Sequence, residues 1–312
     1  MHRILLILAL AFAAAARAQD LAGDMTLHRL LIDGEGWELV AGNLGVADGP
    51  CTDEAGNFYY SDMKAPAIYR VGLDGKQTKL IDELASGLKF GPDGRLYACQ
   101  GAKKRLIAIN LDSREIEEIA TDVQPNDLAV THRGHLYFTE TGRHQVTFVD
   151  AKTKEKRAAD TGITAPNGIT LSPDQGTLAV SDSRGGNVWT FRVDADGSLS
   201  AKAPYMTMRR PIDMKAEYKF GGPPPLLPAS GGDGMTSDSL GRYYVATTLG
   251  VQVFDPTGRL CGVLPKPNPE KPLTSCGFAG KERAFLYVTN GDRIFRRKVQ
   301  AAGNIFFTPP AP

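Results

Sequence analysis

A unit of about 40 residues recurs six times along this chain, and that recurrence narrows the possible folds more than any other feature. Each copy opens with a polar residue, runs through a short apolar stretch, turns at a glycine and returns through a second β-rich stretch. The turn glycines are Gly56, Gly94, Gly134, Gly176 and Gly241, and the sixth turn falls near 281–284. Apolar residues alternate on both sides of these turns. Examples are Leu88-Lys89-Phe90 into Leu96-Tyr97-Ala98, and Leu128-Ala129-Val130 into Leu136-Tyr137-Phe138. Period-two alternation around a tight turn predicts a β-hairpin. A third strand follows every hairpin, and weaker fourth candidates lie at 78–81, 116–119 and 260–263. Four short strands per copy predict an all-β chain: a six-bladed β-propeller with four-stranded antiparallel blades around a central channel.

The same register carries polar residues in successive copies. Asp48, Ser86, Asn126, Asn167 and Asp233 stand at matched distances before their turns, and the sixth copy falls at Ser275 and Cys276. In a hairpin the start of the first strand and the end of the second share one end of the blade. The second strands end at Asp62, Glu140, Asp182 and Asn290, followed by Arg143, His144 and Arg184. Polar groups therefore gather at one mouth, while the glycine turns occupy the other end. Asp48, Asn126, Asn167 and Asp233 offer only oxygen donors, which suit a hard cation such as Ca²⁺, Mg²⁺ or Mn²⁺. Two carboxylates and two amides leave coordination positions open, as a metal-assisted hydrolase requires. Asp48-Gly49, Asn167-Gly168 and Asp233-Gly234 are also common turn dipeptides. Their matched register favours the ring of ligands.

Other features bound the function. A net charge of +1 gives no reason to expect nucleic acid or an anionic membrane as partner. Residues 1–18 read as a secretory signal: His2 and Arg3, an apolar run over 4–16, then Ala16-Arg17-Ala18 as the cleavage site. That predicts a secreted or periplasmic protein, with residues 19–312 as one propeller domain and no membrane attachment after cleavage. The four cysteines, Cys51, Cys99, Cys261 and Cys276, allow three pairings. Cys51 and Cys276 would lie in neighbouring blades of a closed ring and are the expected bridge, with buried free thiols as the alternative. A Pro/Gly-rich insertion at about 203–232 shows no strand pattern and ends just before Asp233, so it is expected to form a rim or lid over the mouth. No GxSxG elbow, P-loop or GxGxxG helix opening is present.

At this point the chain resembles the SMP-30/gluconolactonase/luciferin-regenerating-enzyme family of six-bladed propellers. The segments that carry the resemblance are Ala47-Asp48-Gly49-Pro50, Pro125-Asn126-Asp127, Ala165-Pro166-Asn167-Gly168-Ile169, Gly232-Asp233-Gly234-Met235 and the stretch from Leu273 to Gly280. The resemblance implies a divalent metal, usually calcium, held by Asp48, Asn167 and Asp233, with Zn²⁺, Mn²⁺ or Mg²⁺ as alternatives. It implies hydrolysis of a small-molecule sugar lactone, with Asn126 near the metal and on the substrate. Asp233 would bind the metal and position or deprotonate the attacking water. Gln124, Glu140 and His144 are further substrate-binding candidates at the mouth. Two departures stand out. Many members have Glu at the position of Asp48, and many lactonases have Arg at the position of Gln124. The competing readings are a non-catalytic, metal-stabilised propeller that binds a carbohydrate or protein, and a hydrolase of another ester.

Overall fold

The computed structural model describes residues 27–310. Within them the chain forms six four-stranded antiparallel sheets, one per repeat. Blade one runs outward through Ala47–Thr52, Phe58–Asp62, Ala67–Val71 and Gln77–Ile81. The innermost strands of blades two to six are Leu88–Phe90, Leu128–Val130, Pro166–Leu171, Met235–Ser237 and Leu273–Ala279. The expected outer strands at 78–81, 116–119 and 260–263 fall within strands.

The second strand of most blades is buried along its whole length, as in Phe58–Asp62, Leu96–Gln100 and Tyr243–Thr247. Burial on both faces follows from the architecture, because each blade packs on a neighbour on either side. One apolar cluster joins Tyr137 and Phe148 of blade three to Ile169, Leu178 and Phe191 of blade four. Full burial of such side chains stabilises by roughly 1.5–3 kcal/mol each.

The last blade is completed by the beginning of the chain. Glu38–Ala41 pairs antiparallel with Arg293–Lys298, so the ring closes on hydrogen bonds between distant parts of the sequence. Across that seam the Phe58 and Tyr287 rings stack with centroids 4.1 Å apart.

The ends of the channel differ. At the turn end the C-terminal segment crosses the opening. Asn304 Nδ2 donates to the Asp238 carbonyl at 2.7 Å, Gln175 Nε2 donates to the Phe306 carbonyl at 2.7 Å, and Phe307 meets Phe90 edge-on. Between this plug and the inner strands lies a cavity of about 50 Å³, lined in part by Cys51, Lys89, Thr170 and Phe306.

Two expectations need correction. The insertion does contain a strand: blade four's outer strand, Leu199–Thr207, takes up its first residues. The remainder forms an arm closed by the bridge between Ile212 and Leu226 and rooted at the mouth by the bonds of Met208 N to Gly186 O and Ser230 N to Gly185 O. The four cysteines are free, so the expected Cys51–Cys276 bridge is absent. Cys51 packs with Tyr59 and Leu88, while Cys276 packs with Tyr244 and Phe278. Burial pushes both thiols up to about 12, which keeps them protonated. Among the described residues no helix is long and apolar enough to cross a membrane. The signal segment 1–18 lies outside the described residues.

Candidate functional site

The ring residues lie where each blade's innermost strand begins. Asp48 and Asn167 sit inside strands, not turns, each beside a register shift in its hairpin. Asp48, Ser86, Asn167 and Asp233 are each followed by a glycine, and at Gly49 and Gly168 it has a packing reason. A Cβ on Gly168 would fall 2.2 Å from the Asp233 carbonyl oxygen, and one on Gly49 would fall 2.5 Å from that of Ser86. Adjacent blades therefore meet backbone to backbone at the ring. Second-strand hydroxyls add staples: Ser181 Oγ donates to the Asp233 carbonyl at 2.9 Å, and Thr139 Oγ1 donates to that of Asn167.

This packing brings Asp48, Asn167 and Asp233 together. Burial and then the nearby Asp48 push the Asp233 carboxyl well above its ordinary range, against the Gly234 amide and the Asn167 side chain that bonds to it. Asp48 is raised to about 7, first by burial and then by Asp127, against its Gly49 amide bond, Lys89 and Thr274. Each of the two carboxylates accepts the amide of the following residue, at 2.9 Å for Asp48 and 3.0 Å for Asp233. Two half-buried like charges with so little donor support favour either protons or a cation between them. Among the described residues no three His, Cys, Asp or Glu side chains are arranged around a metal position. A cation here depends on the two carboxylates with amide oxygens beside them, and that all-oxygen set fits a hard divalent ion.

The sixth ring position is Thr274, one residue earlier than expected. Its carbonyl accepts Gly234 N, its hydroxyl donates to the Ala47 carbonyl at 2.7 Å, and its side chain meets Asp48. The displacement follows from a register shift between Leu273 and Ser275, which the spacing of the turns does not reveal.

Asn126 and Gln124 line a mouth pocket of about 370 Å³, together with the ring residue Ser86. Glu140 is placed differently. It is 1 % exposed, accepts Gln124 N at 2.7 Å and Thr147 Oγ1 at 2.7 Å, and pairs with Arg143 at 3.1 Å. It clamps the loop that leads into its blade and does not line the pocket. Asp62, Asp182 and Asn290 do the same in their blades, holding Gly45 N, Ala165 N and the Pro272 carbonyl. His144 stands on the exposed rim with a left-handed backbone, its Nδ1 against the Thr164 carbonyl, outside the pocket lining.

Two channel residues escaped the sequence reading. Asp127 is buried and raised by that burial, although Lys89 and the amides of Leu128 and Ile169 oppose the shift. Lys89 lies within electrostatic reach of both Asp48 and Asp127 and offsets part of the channel's negative charge. The available signal was a lysine interrupting the apolar run Leu88-Lys89-Phe90 of an innermost strand.

A family model described as SMP-30/Gluconolactonase/LRE-like region matches residues 46–292. A gluconolactonase of Zymomonas mobilis is 23% identical over 304 residues, covering 85% of this chain and 82% of that protein. Among solved structures, a gluconolactonase from Xanthomonas campestris superposes with a TM-score of 0.73 at 21% identity, covering 88% of this chain and 92% of that one. Regucalcin from Agrobacterium tumefaciens, a calcium-binding protein, gives 0.70 at 16% identity over 89% and 98% of the two chains. At such identities the structural likeness speaks to the fold.

Proposed function

The chain belongs to the SMP-30/gluconolactonase/LRE-like family, and from that premise we propose that it is a secreted or periplasmic, metal-dependent lactone hydrolase. The observation that carries this reading is the pair of half-buried, mutually repelling carboxylates of Asp48 and Asp233, with the Asn167 amide against the latter. Asp48, Asn167 and Asp233 would hold a hard divalent cation, calcium first, with Mg²⁺, Mn²⁺ and Zn²⁺ as alternatives. When bound, such a cation supplies Lewis-acid polarisation of a carbonyl.

The chain's own groups carry the remaining roles. The Asn126 side chain, on the pocket wall, orients the substrate. The Asp233 carboxylate takes a proton from the attacking water. The water oxygen joins the carbonyl carbon, the ring C–O bond breaks, and the departing alkoxide takes up the proton. The product is a hydroxy acid. The sugar lactones acted on by proteins of this type are the first substrates to try.

The test is acid release from aldonolactones and simple γ- and δ-lactones, using mature protein stripped with chelator and resupplied with each ion. Hydrolysis restored by one metal is the expected result. Folded protein that binds a metal but opens no lactone would favour the second reading, a metal-stabilised propeller that binds a ligand without turnover. The neutral Gln124, where the family resemblance leads one to expect an Arg in many lactonases, gives that reading its support.

A further inference from the structure

The mouth pocket beside the ring has an unusual wall for a sugar site. Its lining includes Met63, Leu84, Ala102 and Pro125, and it contains no ionisable side chain among the described residues. Charges at the adjacent rim are engaged with one another. Lys103 Nζ lies 2.6 Å from Glu83, and Arg143 spans Glu140 and Asp122.

The polar groups of the lining are partly committed as well. Thr141 Oγ1 donates to the Pro166 carbonyl at 2.6 Å, and Ser86 Oγ donates to the Asn126 carbonyl at 2.6 Å. The amides of Gln124 and Asn126 remain as the principal side-chain partners for a ligand. A polyhydroxylated ring has more hydroxyls than these two amides can satisfy, and each buried hydroxyl left without a partner costs about 1–3 kcal/mol. An alkyl chain needs no such partners and gains by covering Met63, Leu84, Ala102 and Pro125.

We infer that the preferred substrate is a lactone bearing an apolar alkyl substituent, with its carbonyl toward Asn126 and the ring carboxylates and its chain on this wall. The inference rests on the lactonase reading above and narrows its substrate class. Hydrolysis adds one water, opens the ring C–O bond and yields a hydroxy acid that keeps the alkyl chain.

The experiment measures kcat/KM of the metal-loaded protein for γ-lactones of increasing chain length, with D-glucono-δ-lactone alongside. The expected result is a rise of about fourfold per added methylene until the wall is covered, with gluconolactone well below the longer members. Leu84→Asn and Met63→Gln should each lower that per-methylene slope toward one. The slope is a ratio within each variant, so partial misfolding does not imitate its loss. A flat series with gluconolactone fastest would overturn this inference and leave the lactonase reading standing. Failure of the folded, metal-loaded protein to open any lactone would overturn both.

Discussion

Asp48 and Asp62 face each other across one hairpin, within a residue of direct pairing, yet their surroundings push them in opposite directions. Burial would raise Asp62, but the amides of Gly45, Lys64, Ala65 and Val46 all bond to it and hold its carboxyl below the usual range. Asp48 has one such amide, and burial raises it instead. The turn end repeats the first pattern. Asp174 is held low by the Ser172 hydroxyl and the Gly176 amide. Asp93 overcomes its burial through Arg95 and Tyr97. A carboxylate surrounded by donors has finished its work when the chain folds. One half-buried near another carboxylate with a single amide donor is held ready for a cation, and its cost is met only when that cation binds.

The largest test of this contrast is Asp233→Ala. Lactone hydrolysis should fall about a thousandfold or more, since the variant loses a metal-binding carboxylate and the proton acceptor together. Thermal unfolding of the metal-free variant should be no lower than that of the parent, because a repulsive charge is gone. Asp62→Ala should do the reverse. Removing the buried carboxylate on which four backbone amides converge should cost about 2–5 kcal/mol in urea unfolding, with metal affinity of the folded protein within a few fold of the parent. Equal destabilisation by the two substitutions would break the comparison.

A pH series sharpens it. Between the ordinary carboxylate range and the raised folded-state value of Asp48, about 7, the folded metal-free protein binds more protons than the unfolded chain. Rising pH therefore favours unfolding over that window, by up to about 1.4 kcal/mol per pH unit for each such group. Above about pH 5, where donor-held carboxylates such as Asp62 and Asp93 have finished titrating, melting curves of metal-free protein should fall towards neutrality, and saturating Ca²⁺ should flatten the trend. His135, held below its ordinary value by burial, opposes this trend, so a metal-free stability that climbs with pH over this range in a His135→Gln background would count against raised values for Asp48 and Asp233. The smallest expected effect is at the plug. Asn304→Ala removes the bond to the Asp238 carbonyl and should cost about 1 kcal/mol of stability, with metal binding unchanged by calorimetry.

Much of the fold was legible because propeller repeats write their period into the sequence. The turn glycines and alternating runs mark the hairpins of every blade. The ring register follows from the same period, which is why Asp48, Asn126, Asn167 and Asp233 could be singled out and why the structure sets Asn167 against Asp233 with Asp48 in electrostatic reach. Thr274 was missed by one position because a bulge shifts the strand between Leu273 and Ser275. Lys89 was passed over because one lysine in an apolar strand has no local signature of facing a channel.

What the sequence alone determined, then, is everything that repeats: blade number, strand order and the polar register at one mouth, each set by local alternation and turn chemistry. What only the tertiary structure decided is everything that depends on distant segments meeting. The pairing of Glu38–Ala41 with the last blade, the tail across the turn end and the free state of Cys51 and Cys276 are of that kind. So is the split between Asp48 and Asp62, because a carboxylate's charge state depends on how many donors the folded chain turns toward it, and no spacing along the sequence counts them.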